Sequence, residues 1–108
     1  MKVSLEKAFS ILDGRLSTKI EDVYEMLNYI YDTSFFTHQL PSAMRKLQEV
    51  NPDWFSAGVA HLEEIRSIVG TNDFEPLINY IKENYSSPDY DIELGRIKAD
   101  IEFSAGLF

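Results

Sequence analysis

From Ile20 to Tyr31 the apolar residues Ile20, Val23, Tyr24, Leu27, Ile30 and Tyr31 return at helical spacing, and Thr18 with Glu21 opens the run as a capping box. An isolated helix of this length is marginal in water, so a stripe this regular needs other apolar faces to pack against. The flanking sequence supplies them. Ser4 caps a short helix bearing Leu5, Ala8, Phe9 and Leu12, which Asp13-Gly14 stops. After a connector at residues 33–36 that turns Phe35 and Phe36 inward, Thr37 caps a third helix. Pro41 lies in its first turn, and Leu40, Ala43, Met44, Leu47 and Val50 form its inner face.

Asn51-Pro52 is a further start signal, followed by Trp54 and Phe55, and Gly58 is expected to break that run. The spacing of Leu62, Ile65, Ile68 and Val69 predicts a helix over 60–69 closed by Gly70. Asn72 or Asp73 then caps another, with Pro76 in its first turn and Phe74, Leu77, Ile78, Ile81 and Tyr85 at helical spacing. The expectation is a mainly α fold, a compact bundle of about five short helices forming a single domain over 1–108. With 44% apolar and 13% aromatic residues, 108 residues suffice for one modest core.

Beyond the turn Ser86-Ser87-Pro88-Asp89 the pattern changes. Ile92, Leu94, Ile97, Ala99, Ile101 and Phe103 alternate with polar residues as a small C-terminal β-hairpin would, yet Leu94, Ile97 and Ile101 fit a helix equally. The end, Ser104 to Phe108, is apolar enough to dock on the core or on a second copy through Leu107 and Phe108.

The net charge is −8 and it is unevenly placed. Residues 1–50 hold six Lys/Arg against seven Asp/Glu, a balance of −1, while residues 51–108 hold four against eleven, a balance of −7. Such a field repels nucleic acid, whose binding depends on cationic side chains displacing counterions, and it steers the chain toward basic protein surfaces. The absence of cysteine removes disulfides and thiolate chemistry and suits a reducing compartment. Charges interrupt the start of the chain where a signal peptide needs an apolar run, and no run reaches the roughly 20 residues of a membrane helix. The expected location is the cytoplasm, with no membrane partner.

Chemical signatures are sparse. His38 and His61 fit no metal-ligand spacing; His61 and Glu64 share a helix face, but a metal site would need ligands recruited from afar. No serine stands in a nucleophile elbow, no glycine-rich loop cradles phosphate, and the pairs Glu63-Glu64 and Asp89 with Asp91 read as solvated. No enzyme activity, cofactor or metal is expected. The candidate partner-binding residues are acidic rows: Glu21, Asp22 and Glu25 on the second helix, and Asp89, Asp91, Glu93, Asp100 and Glu102 near the carboxyl end. The alternatives are a self-associating structural or regulatory module and a protein that sequesters a nucleotide signal through Arg15, Arg45 and Lys46.

Asp13-Gly14-Arg15-Leu16-Ser17-Thr18, Asp22-Val23-Tyr24, Leu27-Asn28-Tyr29-Ile30, Thr37-His38-Gln39-Leu40-Pro41, and Leu62-Glu63-Glu64-Ile65 with Val69-Gly70 carry a resemblance. Over residues 13 to 75 the chain resembles a family of small phage and prophage proteins with no assigned activity. What the resemblance implies is a setting: small accessory phage genes often encode inhibitors of host defence systems, including anti-CRISPR proteins. A phage-encoded protein of this kind would inhibit a host defence or nucleic-acid-processing complex by placing an acidic, nucleic-acid-mimicking surface on basic protein.

Overall fold

A computed structural model describes residues 1–32 and 39–93. Among these, six helices and a two-stranded antiparallel sheet follow in the order β1 (Lys2–Val3), α1 (Leu5–Leu12), α2 (Ile20–Tyr31), α3 (Leu40–Arg45), α4 (Leu47–Val50), α5 (Pro52–Val69), α6 (Phe74–Asn84) and β2 (Tyr90–Asp91). The fold is mainly α. None of the described helices is long and apolar enough to cross a membrane.

Helix α1 begins and ends where its sequence signals lie. The Ser4 hydroxyl accepts the Lys7 N–H at 3.3 Å, the Asp13 N–H closes on the Phe9 carbonyl, and Gly14 turns the chain at φ +96°. Ala8 and Phe9 are among its buried residues, and α1 packs against α2, α5 and α6. The loop after it is held back onto its own helix. Buried Ser10 accepts the Ser17 N–H at 2.8 Å, and the Ser17 hydroxyl donates to the Glu6 carbonyl.

Helix α2 buries Val23, Met26, Leu27, Ile30 and Tyr31. Two details depart from the expectation. Ile20 is 43% exposed and Met26 takes its place in the stripe. The capping box does not form, because the cap position is Lys19, one residue later than read. The carboxylate that reaches the first turn is therefore that of Asp22, which accepts the Thr18 hydroxyl. Asp32 ends the helix in the left-handed region at φ +53°.

The third predicted helix is two segments. Lys46, at φ −90° and ψ −1°, separates them, yet Leu40, Ala43, Leu47 and Val50 are buried on both sides of it, so one apolar face continues from α3 into α4. The Tyr31 hydroxyl donates to the Ala43 carbonyl and ties the end of α2 to α3; burial pushes its pKa up.

Gly58 does not break the fourth helix; α5 runs unbroken through it to Gly70, which adopts φ +84°. One glycine inside a helix costs about 1 kcal/mol, too little to stop a helix that is otherwise well packed. Its lack of a side chain is what the packing requires. A Cβ at residue 58 would lie 2.7 and 2.9 Å from the Leu12 methyls and 2.9 Å from the Tyr90 hydroxyl, where α5 passes α1 and β2. Trp54, Gly58, Leu62 and Ile65 form the inner face, whereas Ile68 is 64% exposed. Helix α6 buries Leu77, Ile78 and Ile81 and packs on α5 and α1.

The sheet joins the beginning of the chain to residue 90. Lys2 pairs with Asp91 and Val3 with Tyr90, and the Ile92 N–H donates to the Met1 carbonyl at 2.7 Å. On the other edge of β2, Trp54 Nε1 donates to the Asp91 carbonyl at 2.8 Å and Asn51 Nδ2 to the Glu93 carbonyl at 3.2 Å. Asn51 stands at the cap of α5 as expected, but its side chain makes no capping bond to the helix; its amide closes this strand edge. The remainder of the hairpin-or-helix segment, Leu94 to Phe103, lies outside the described residues. So do Phe35, Phe36, Thr37 and His38, Asp100 and Glu102, and the docking end Leu107-Phe108.

Candidate functional site

The acidic residues singled out from the sequence divide into two described groups. Glu21 and Glu25, four apart on α2, are both exposed. Asp22, between them, is not part of that row. It accepts the Thr18 hydroxyl and lies 3.5 Å from the Lys7 ammonium, and these contacts, Thr18 foremost, hold its carboxyl below the ordinary carboxylate range.

Along residues 89–93, of which Tyr90–Asp91 form β2, Asp89, Asp91 and Glu93 are exposed, while Tyr90 is half-buried and Ile92 buried. The side chains of Trp54 and Asn51 grip the backbone behind Asp91 and Glu93, so these carboxylates stand on a fixed strand. Lys2 sits opposite Asp91 on β1, and the Met1 amino group lies 3.7 Å from its carboxylate. The two groups stand on separate elements: α2 packs on α1 and α3, β2 on β1.

Other exposed acids were not among the partner-binding candidates. Asp53 and Glu64 on α5, Asp73 before α6, and Glu75 and Glu83 on α6 are all exposed. The signal for them was the charge balance of the second half, which counts carboxylates without placing them. Between Pro52 and Glu93 the basic residues are Arg66 and Lys82, and both are engaged. Arg66 binds Asp13 and Glu63 at 2.5 and 2.8 Å, and Lys82 lies 3.6 Å from Glu6.

Asp13 organises the cationic side chains. Its carboxylate, 7% exposed, accepts Arg15 Nε at 2.7 Å and an Arg66 guanidinium N–H at 2.5 Å. Arg15 also donates to the Asn72 carbonyl at 2.9 Å and packs over the Phe9 and Phe74 rings at 5.7 and 5.8 Å. Burial works hardest against the charged carboxylate, but the hydrogen bonds and charge of Arg15, with the hydrogen bond of Arg66, outweigh it and hold the Asp13 pKa below its ordinary value of 3.8. The grouping of Arg15 with Arg45 and Lys46 as a nucleotide-binding cluster is not supported by this geometry. Arg15 is committed to Asp13 and Asn72, and the other two lie at the junction of α3 and α4.

His61 packs edge-on against Tyr85, ring centroids 5.3 Å apart, with Nε2 3.4 Å from the Tyr85 hydroxyl; it joins α5 to the end of α6. Among the described residues no group of three His, Asp or Glu stands close enough to hold a metal ion.

Fold and site together define a small mainly α protein in which Arg15 and Arg66 are gathered on Asp13 while most of the carboxylates from α5 to residue 93 are exposed. The chain belongs to the family described as Domain of unknown function (DUF7736), which matches residues 3–59, from β1 into the first half of α5. Helix α6 and the acidic row of β2 lie beyond the matched residues. No curated protein and no solved structure matches the chain.

Proposed function

We propose that this chain is a stoichiometric protein-binding inhibitor of the kind phages direct against host defence or nucleic-acid-processing complexes. Its exposed carboxylates occupy a basic surface that would otherwise hold nucleic acid, and no bond is made or broken. The supporting observation is the electrostatic imbalance of the segment from α5 to β2. There Asp53, Glu63, Glu64, Asp73, Glu75, Glu83, Asp89, Asp91 and Glu93 are all exposed, against two basic residues, Arg66 and Lys82. An excess of exposed negative charge raises encounter rates with an oppositely charged surface and disfavours nucleic acid as a direct ligand.

The reading predicts that tagged protein incubated in host lysate retains a nucleic-acid-binding complex, and that the nucleic acid this complex normally holds releases it. Retention indifferent to that nucleic acid contradicts the proposal, as does direct capture of nucleic acid in the absence of protein.

A further inference from the structure

Leu16 presents an apolar side chain, 53% exposed, from a loop that is pinned on both sides. Arg15 before it is bonded to Asp13 and Asn72, and the Ser17 N–H after it is bonded to Ser10. The side chain cannot retreat by moving the loop. It borders an open cleft of about 740 Å³ between α1, the loop after it, the start of α2, and α6, within the size range of small-molecule sites. Phe74 and Ile78 of α6 share the lining with Leu16, and Ile20, 43% exposed, stands close by in sequence.

The same cleft is lined by Lys7, Lys19 and Lys82, three of the eight Lys and Arg among the described residues of a chain with net charge −8, against two carboxylates, Glu6 and Asp22, so its charged lining carries a net positive balance. Lys19 makes no ion pair among the described residues. Lys7 and Lys82 pair with Asp22 and Glu6 at 3.5 and 3.6 Å, with lysine side chains 44% and 54% exposed, a geometry in which the pairing contributes little and leaves ammonium N–H groups available. An apolar wall held rigidly beside three ammonium groups is complementary to one ligand chemistry.

We propose that this cleft binds a small amphiphilic anion. Its aliphatic or aromatic body lies on Leu16, Phe74 and Ile78, and its carboxylate, sulfonate or phosphate-ester head lies among Lys7, Lys19 and Lys82. The proposal does not rest on the exposed acids and stands whether or not they bind a partner. Because Phe74, Ile78 and Lys82 fall beyond residues 3–59, one wall comes from outside the matched family region.

The test is a fluorescence titration with anilinonaphthalene sulfonate, followed by displacement with decanoate, decanol or inorganic sulfate, and methyl NMR of the unsubstituted protein with decanoate. Expected are saturation at one probe per chain, displacement by decanoate alone, and methyl shifts at Leu16 and Ile78 with Ile68 unmoved. The Lys19→Gln/Lys82→Gln protein should bind about ten-fold more weakly, and Glu6→Gln, which releases Lys82, about two-fold more tightly. Displacement by decanol as effective as by decanoate, affinities unmoved by these substitutions, or shifts centred on Ile68 would each overturn the proposal; the NMR arm needs no variant and so does not depend on how the variants fold.

Discussion

Replacing Gly58 by valine is expected to destabilise the protein by about 3 kcal/mol, read as a lower urea midpoint at unchanged slope. The first carbon of the new side chain would already lie 2.7 Å from one Leu12 methyl and 2.9 Å from both the other methyl and the Tyr90 hydroxyl. Valine adds two more carbons to a position that is buried and closed on the side facing α1 and β2. Alanine at the same site should be far milder. Its contacts are with side-chain ends that can shift by a few tenths of an ångström, and its helix propensity recovers about 1 kcal/mol. A valine variant as stable as the parent would mean that α5 does not approach α1 and β2 as closely as described.

Removing the Asp13 carboxylate has the second large effect. Asp13→Ala leaves the Arg15 and Arg66 guanidinium groups, 38% and 19% exposed, without their shared acceptor. A fully buried pair broken this way costs about 3–5 kcal/mol, and the partial exposure of both arginines reduces the expected loss to about 2–3 kcal/mol at neutral pH. The pH dependence follows from the lowered pKa. The folded-state carboxyl titrates below 3.8, its ordinary value, so its stabilisation is complete above that value and is lost as the pH falls through the lower folded-state pKa. The difference in stability between Asp13→Asn and the parent should therefore be constant through neutral pH and narrow in acid below about pH 4. A difference that widened on acidification would contradict the ion-pair account.

What could be read locally was read well. The stop at Gly14, the cap at Ser4, the inner face of α2 and the end of α5 at Gly70 all follow from spacing and backbone preference within a few residues of where they act. The misreadings share a different cause. Gly58 reads as a breaker in one dimension, because the pattern cannot show that Leu12 and Tyr90 pass across it. Asn51 does stand at the cap of α5, but nothing nearby reveals that its side chain bonds the Glu93 carbonyl instead of the helix, and the division of the third helix at Lys46 carries no glycine or proline to announce it. The same holds for charge. Composition located the acidity in the second half, but only the three-dimensional arrangement separates Asp22, held by Thr18 and Lys7, from exposed Glu21 and Glu25. Arg15 and Asn72, and Arg66 and Asp13, meet across more than fifty residues of chain, beyond the reach of any periodicity.

The central claim is that exposed carboxylates do the binding. Its most direct measurement is a titration of the captured complex's nucleic-acid binding with the parent protein and with a Glu21→Gln, Glu25→Gln, Asp89→Asn, Asp91→Asn, Glu93→Gln variant, at low and high salt. The account predicts an endpoint at a fixed stoichiometric ratio, progressive weakening with salt, and a loss of at least about ten-fold in potency for the neutralised variant. Inhibition complete at a small fraction of the complex's concentration, or equal potency of the two proteins at every salt concentration, would contradict it.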